Sequence, residues 1–285
     1  MTVRDFACDM HENYLTEELL AEHAALFPHA FYRAPEMAAL AGILAEKLAS
    51  PIAFLPFDYM AEAEALGARV KGGADIAGLR GDGHILQELR QLAALPAMDF
   101  STGRIAQILA AINLVKQAGY TPCLNLTGFL TVTDCLLPIT QVFMGWQKEQ
   151  AVLKQFFNRF AQHLLAYVTL ARQNGAAIFS YADPMAAISL VGPKLSKEIC
   201  ENYTAPFLKA LQKHEKGVVL HLCGKTSYAL EQAGLAKTEV LPLAEPMLYT
   251  QALAKLAETG ETVMIGHGCI NKKRTTTKLI KIQLL

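Results

Sequence analysis

The stretch Gly217-Val218-Val219-Leu220-His221-Leu222-Cys223-Gly224 decides how the rest of the chain is read. It is a short apolar run rich in β-formers and bounded by glycine, the pattern of a strand buried on both faces. Runs of the same kind recur at 51–57 (PIAFLPF), 122–128 (PCLNLTG), 176–182 (AAIFSYA), 239–245 (EVLPLAE) and 262–268 (TVMIGHG). Between them helical periodicity marks 104–118, 147–173, 195–214, 226–233 and 248–258. Strands alternating with helices imply parallel pairing through right-handed crossovers.

Beyond Cys223 each unit takes only about 22 residues, near the minimum for a strand, a loop and a helix, which is the economy of a barrel. The final TKLIKIQLL, 277–285, alternates like a terminal strand and makes a seventh. The N-terminal segments TEELLAEHAALF and APEMAALAGILAEKLA read as helices, and no strand is visible before 51. The expected fold is therefore α/β, a (β/α)8 TIM-like barrel over 1–285 as one domain, with a helical segment at 1–50 and an incomplete or irregular first strand. The glycine-rich RVKGGADIAGLRG, 69–81, reads as a loop or short hairpin.

The composition narrows the function. Of 285 residues 52% are hydrophobic and 18% charged, which fits a packed enzyme and excludes a disordered chain. Lys+Arg and Asp+Glu are both 26, so no excess charge draws a nucleic acid or an anionic membrane surface. No signal-peptide pattern or membrane-length apolar run is present, and the expected location is cytoplasmic. Six cysteines, Cys8, Cys123, Cys135, Cys200, Cys223 and Cys269, are too scattered for a disulfide framework and read as thiols or ligands. There is no G-x-G-x-x-G after a strand, no Walker lysine motif and no G-x-S-x-G elbow, so nucleotide and serine-hydrolase readings lose their support.

Residues two apart on a strand share a face, so His221 and Cys223 present an imidazole and a thiolate together at a carboxyl end, where barrel active sites sit. Glu245 closes the next expected strand and Cys269 follows the one after, in Gly266-His267-Gly268-Cys269. His, Cys, Glu and Cys converging on one face are donors that suit tetrahedral zinc. His267 is either a substitute for Glu245, a group orienting a ligand or substrate, or a loop histidine. A second constellation comes from earlier strand ends: Asp58, Glu64, Asn125 and Asp183. Carboxylates there transfer protons, bind substrate or cap helices, and for Glu62 and Glu64 a solvated helix face is an equal account. The basic run Lys272-Lys273-Arg274 holds an anionic substrate tail, steadies a thiolate or is a solvated loop.

The order PFDYMAEAEALGARVKGG, NLTGFLT, GAAIFSYADPMA, GPKLSKEICENYTAPFLKAL and VVLHLCGKT resembles the uroporphyrinogen decarboxylase superfamily, most closely its corrinoid-dependent methyltransferase branch, over roughly 50–270. The resemblance implies a barrel that moves a methyl group from a methyl-cobamide, carried by a partner corrinoid protein, to a thiol such as coenzyme M or to tetrahydrofolate. It also implies zinc at the H-x-C pair His221 and Cys223, with Glu245 as acidic ligand and Cys269 as distal cysteine, and Asp58, Asn125 and Asp183 anchoring a pterin in the folate case. The thiolate attacks the methyl group, and cobalt leaves with the electron pair. Two other readings stay open: a metal-free decarboxylase like uroporphyrinogen decarboxylase itself, although no arginine-rich R-Q-A-G-R-Y-like motif occurs, and a non-catalytic corrinoid-binding barrel.

Overall fold

The structure, a computed structural model, describes residues 5–6, 15–271 and 273–285. Two N-terminal helices, α1 (Glu17–Glu22) and α2 (Ala34–Lys47), lead into β1 (Ile52–Leu55) and the short helix α3 (Ala61–Ala65). The glycine-rich stretch forms a hairpin, β2 (Val70–Gly72) against β3 (Leu79–Gly81). Then come α4 (Gly103–Gln117), β4 (Thr121–Thr127), α5 (Phe129–Leu136), α6 (Ile139–Gly145), α7 (Gln150–Gln173) and β5 (Ile178–Ala182). The chain continues through α8 (Ile188–Ile199), α9 (Ala205–His214), β6 (Val219–Cys223), α10 (Gly224–Gln232) and β7 (Ala236–Leu248). It ends with α11 (Tyr249–Glu258), β8 (Val263–Gly268) and β9 (Thr275–Leu284). Among the described residues no helix is long and apolar enough to cross a membrane.

The main sheet runs β1-β4-β5-β6-β8-β9-β7, and its first five strands are parallel and in chain order, as a barrel requires. Alternation within each strand sorts the core into two layers. Ala53, Leu55, Leu124, Leu126, Phe179, Tyr181, Leu220 and Leu222 face the helical layer of α2, α4, α7, α9 and α10. Ile52, Phe54, Cys123, Ile178, Val219, Val263 and Ile265 face the other way and are covered by α11. Both faces are buried, which is why these strands are continuous apolar runs. Helix α7 docks through Leu153, Phe156, Phe157, Phe160, Leu164 and Val168, a spacing of three and four that builds one apolar stripe.

The architecture is of the expected α/β barrel class, with antiparallel strands at one edge of its sheet. Segment 239–245 belongs to a 13-residue strand that pairs antiparallel with β9 rather than parallel with its neighbours. Most of β7 is exposed, and Pro242 and Pro246 suit an edge position where no ladder donor is needed. The terminal strand β9 lies between β8 and β7, antiparallel to both. The helix expected over 195–214 is divided by a π turn at Cys200–Thr204 into α8 and α9.

Candidate functional site

Register aligns one polar row across the carboxyl half of the sheet. Asn125 pairs in register with Ser180, Ser180 with His221, and His221 with Ile265. These residues share the face that α11 covers. Asn125 donates from Nδ2 to the Pro56 carbonyl at 2.9 Å, which ties β4 to the chain leaving β1. His221 is buried, and its Nδ1 lies 3.0 Å from Ser180 Oγ. Burial, with the Arg274 guanidinium nearby, pushes the imidazole down to about 3, so it is neutral and keeps a lone pair.

Cys223 ends β6 and is the residue before α10, at the helix end that favours negative charge. Its register partner on β8 is Gly268, and Cys269 follows directly. Tyr249, at the start of α11, stands with its ring 6.0 Å from that of His221, and Arg274 lies 4.3 Å over the Tyr249 ring. Gly268 is required here, because a Cβ would lie 2.5 Å from Arg274 Nη2 and 2.7 Å from the Tyr249 ring. Of the basic run, Lys272 lies outside the described residues and Lys273 is exposed, which leaves Arg274 as the member directed at the site.

The donor chemistry fits a metal in part. His221 and Cys223, two residues apart at the end of β6, are two donors of suitable type, and Cys269 stands one residue beyond Cys223's register partner. Among the described residues no group of three or more His, Cys, Asp or Glu side chains is gathered closely enough to hold an ion. Glu245 is not part of the platform. It is exposed on β7, where the pairing with β9 slips between Pro242 and Met247. The expectation that it closes a parallel strand fails because that segment is an antiparallel edge. His267 is also elsewhere: the backbone turns left-handed there (φ 53°), and its Nε2 lies 3.4 Å from Glu231 on α10. It faces the helical layer rather than His221.

The second constellation makes structural contacts. Asp58 binds the buried guanidinium of Arg104 in bidentate fashion, at 2.7 and 3.0 Å, and Oδ1 also accepts from the Met60 N–H at 2.8 Å. Glu64 completes the cluster at Arg104 Nε. Both carboxylates thereby hold α4 against the segment after β1. Glu62 is no solvated residue: it is completely buried and accepts from Thr127 N–H at 2.9 Å and Thr127 Oγ at 2.8 Å. Asp183 caps a helix, but not the turn that follows it. Its carboxylate accepts from Leu130 N–H, Thr131 N–H and Thr131 Oγ at 3.1, 2.9 and 2.7 Å, closing the N-terminus of α5. Burial raises this carboxyl despite those bonds.

The close approach of Asp183 to α5 depends on Gly128, where a Cβ would stand 2.3 Å from the Asp183 Cβ. Gly128→Ala is therefore expected to force the cap open and lower stability by about 1–3 kcal/mol, read as a shift in the urea midpoint. An unchanged midpoint would show that the cap is dispensable.

Sequence reading passed over Ser180, Tyr249 and Arg104. Ser180 carries a usable signal, a hydroxyl inside an apolar strand at the same parity as Asn125 and His221. Tyr249 and Arg104 carry none, since an aromatic or a basic residue in a helix's first turn is ordinary.

Comparison with known proteins bears on this arrangement. The sequence model of the family described as uroporphyrinogen decarboxylase matches residues 10–268. The chain is 26% identical over 222 residues to the methylcobamide:CoM methyltransferase MtbA of Methanosarcina acetivorans, covering 75% of this chain and 64% of that protein. It is 25% identical over 217 residues to the methylcobamide:CoM methyltransferase MtaA of Methanosarcina barkeri, covering 75% of this chain and 63% of that one. It thus spans less than two thirds of the length of these curated relatives. A solved structure of a methyltransferase from Methanosarcina mazei superposes with a TM-score of 0.63 at 24% identity, covering 75% of this chain and 64% of that chain, a likeness of fold.

Proposed function

The chain belongs to the uroporphyrinogen decarboxylase family, and from that premise we propose that it is a methyltransferase acting between the methyl-cobamide of a corrinoid-carrying partner and a small thiol. The names of its relatives, which pair methylcobamide with CoM, support this reading. The observation that carries it is the buried, neutral His221 two residues before Cys223 at the carboxyl end of β6, on the sheet face that also bears Asn125 and Ser180.

In this reading His221 and Cys223 would hold zinc, with Cys269 as third donor. When bound, zinc supplies a Lewis acid that keeps an acceptor thiol in its thiolate form near neutral pH. The chain's own residues do the rest. His221 offers a lone pair without first losing a proton. Arg274, 4.3 Å over the Tyr249 ring, would place a positive charge beside the acceptor and favour an anionic substrate. Asn125, in the same row, faces the substrate space. Tetrahydrofolate is the less favoured acceptor, because Asp58 and Asp183, the acids that would anchor a pterin, are engaged by Arg104 and α5. The same engagement counts against a decarboxylase of polyanionic substrates: the buried Arg104 is already neutralised by two carboxylates.

The test is metal content and methyl transfer measured together. Roughly one zinc per chain is expected in the wild type, as for other three-ligand catalytic sites, with loss of both zinc and thiol methylation from methylcobalamin in Cys223→Ala and Cys269→Ala. Wild-type protein that methylates thiols without zinc would remove the metal from the reading. A metal-loaded protein with no transfer would remove the reaction and leave a corrinoid-binding barrel.

A further inference from the structure

We propose that β7 is a self-association surface: two copies of the chain pair antiparallel through residues 236–240, about a two-fold axis at Thr238. The inference is independent of the methyl-transfer reading and can fail without it. β7 ends the sheet, with β9 on one side and, among the described residues, no strand on the other. Lys237, Thr238, Glu239 and Val240 are exposed, Val240 to 54% despite its apolar side chain. Such an edge is a template for another strand unless something blunts it.

The register with β9 shows which part of the edge is open. Leu235 accepts from the Leu285 N–H at 2.8 Å, one pair before Ala236 and Leu284 in the ladder. Hydrogen-bonded and non-bonded pairs alternate in an antiparallel ladder, so the odd-numbered residues from Leu235 to Leu241 turn their N–H and C=O groups to β9. Ala236, Thr238 and Val240 turn theirs to the open side. Pro242 has the same parity and no N–H, so it closes the edge just beyond them.

The open segment is complementary to itself. Two-fold pairing at Thr238 sets that residue against its own copy and Ala236 against Val240, pairs that each exchange two backbone hydrogen bonds. Between them Lys237 meets Glu239 of the second copy, once on each side of the axis, in the non-bonded kind of pair whose side chains lie closer. Glu239 lies 3.5 Å from Lys281 of its own chain and is still exposed enough to receive the second lysine. Opposite charges, a threonine pair and cover for Val240 identify the occupant as a second copy rather than an unrelated strand.

Sedimentation of the full chain, loaded from low micromolar to near-millimolar concentration, tests the pairing. The wild type is expected to pass from monomer to dimer across that range. Lys237→Glu or Glu239→Lys alone sets like charges opposite one another at both pairs and should weaken the dimer roughly tenfold, whereas the two substitutions together restore it. Thr238→Pro removes an open-side N–H at the axis and should leave a monomer, and the charge exchange decides if that variant does not fold. A wild type that stays monomeric throughout would overturn the proposal. So would a dimer that the single charge variants leave unchanged, or one that the double exchange fails to restore.

Discussion

Arg104→Ala is expected to destabilise the fold by about 3–5 kcal/mol, the range observed when one partner of a buried ion pair is removed. The side chains of Arg104 and Asp58 are 2% and 6% exposed, so truncating the guanidinium strands Asp58 away from water. Glu64 is 26% exposed and can rehydrate, which holds the loss within that range rather than above it. The damage arises from the uncompensated charge more than from the missing attraction. Arg104→Met combined with Asp58→Asn is therefore expected to be less destabilised than the sum of the two single variants. Urea unfolding of the three proteins checks this, and a single-variant loss under about 1 kcal/mol would show that the cluster is solvated in solution.

The second large effect is a pH dependence carried by Glu62. Burial, opposed by the two Thr127 hydrogen bonds and reinforced by Asp58, raises its carboxyl from 4.5 to about 7. The folded protein thus holds this proton more tightly than the unfolded chain does. Its contribution to stability is complete below about pH 4.5 and declines as pH rises to about 7, above which a lower plateau is reached. The full difference is about 3 kcal/mol. Glu62→Gln keeps an acceptor for the Thr127 N–H, offers a donor to Thr127 Oγ and cannot ionise. The gap in urea midpoint between Glu62→Gln and wild type should consequently widen in favour of glutamine from about pH 5 to about pH 8. A gap constant with pH would mean that Glu62 is ionised throughout, and its burial would then need another cationic partner.

These two effects show why the site was harder to read than the fold. Asp58 and Asp183 stand out in the sequence because acids at strand ends in a barrel often do chemistry. Their real partners lie far along the chain: Arg104 is 46 residues from Asp58, and the α5 donors are 52 and 53 residues from Asp183. Nothing local distinguishes a carboxylate that will meet a guanidinium from one that will meet a substrate. Glu62 and Glu64, two residues apart in one short helix, divide into a fully buried acid and a half-exposed one for the same reason. Ser180 is the exception that could have been caught, because a hydroxyl placed at the parity of His221 marks a row that only parallel pairing completes.

Features that depend on neighbours within a few residues are legible in the chain alone. Apolar runs broken by glycine set β1, β4, β5, β6 and β8, the spacing of aromatic residues set α7, and two-residue alternation put His221 and Cys223 at one strand end. Tertiary structure alone decided what depends on which segments meet. It turned 236–248 into an antiparallel edge beside β9 and so removed Glu245 from the site. It laid α11 across the inner face, brought Tyr249 and Arg274 to His221, and gave His267 to α10. A strand's apolar pattern is written in its own residues, but its direction and its neighbours are fixed by a packing balance that the whole sheet settles at once.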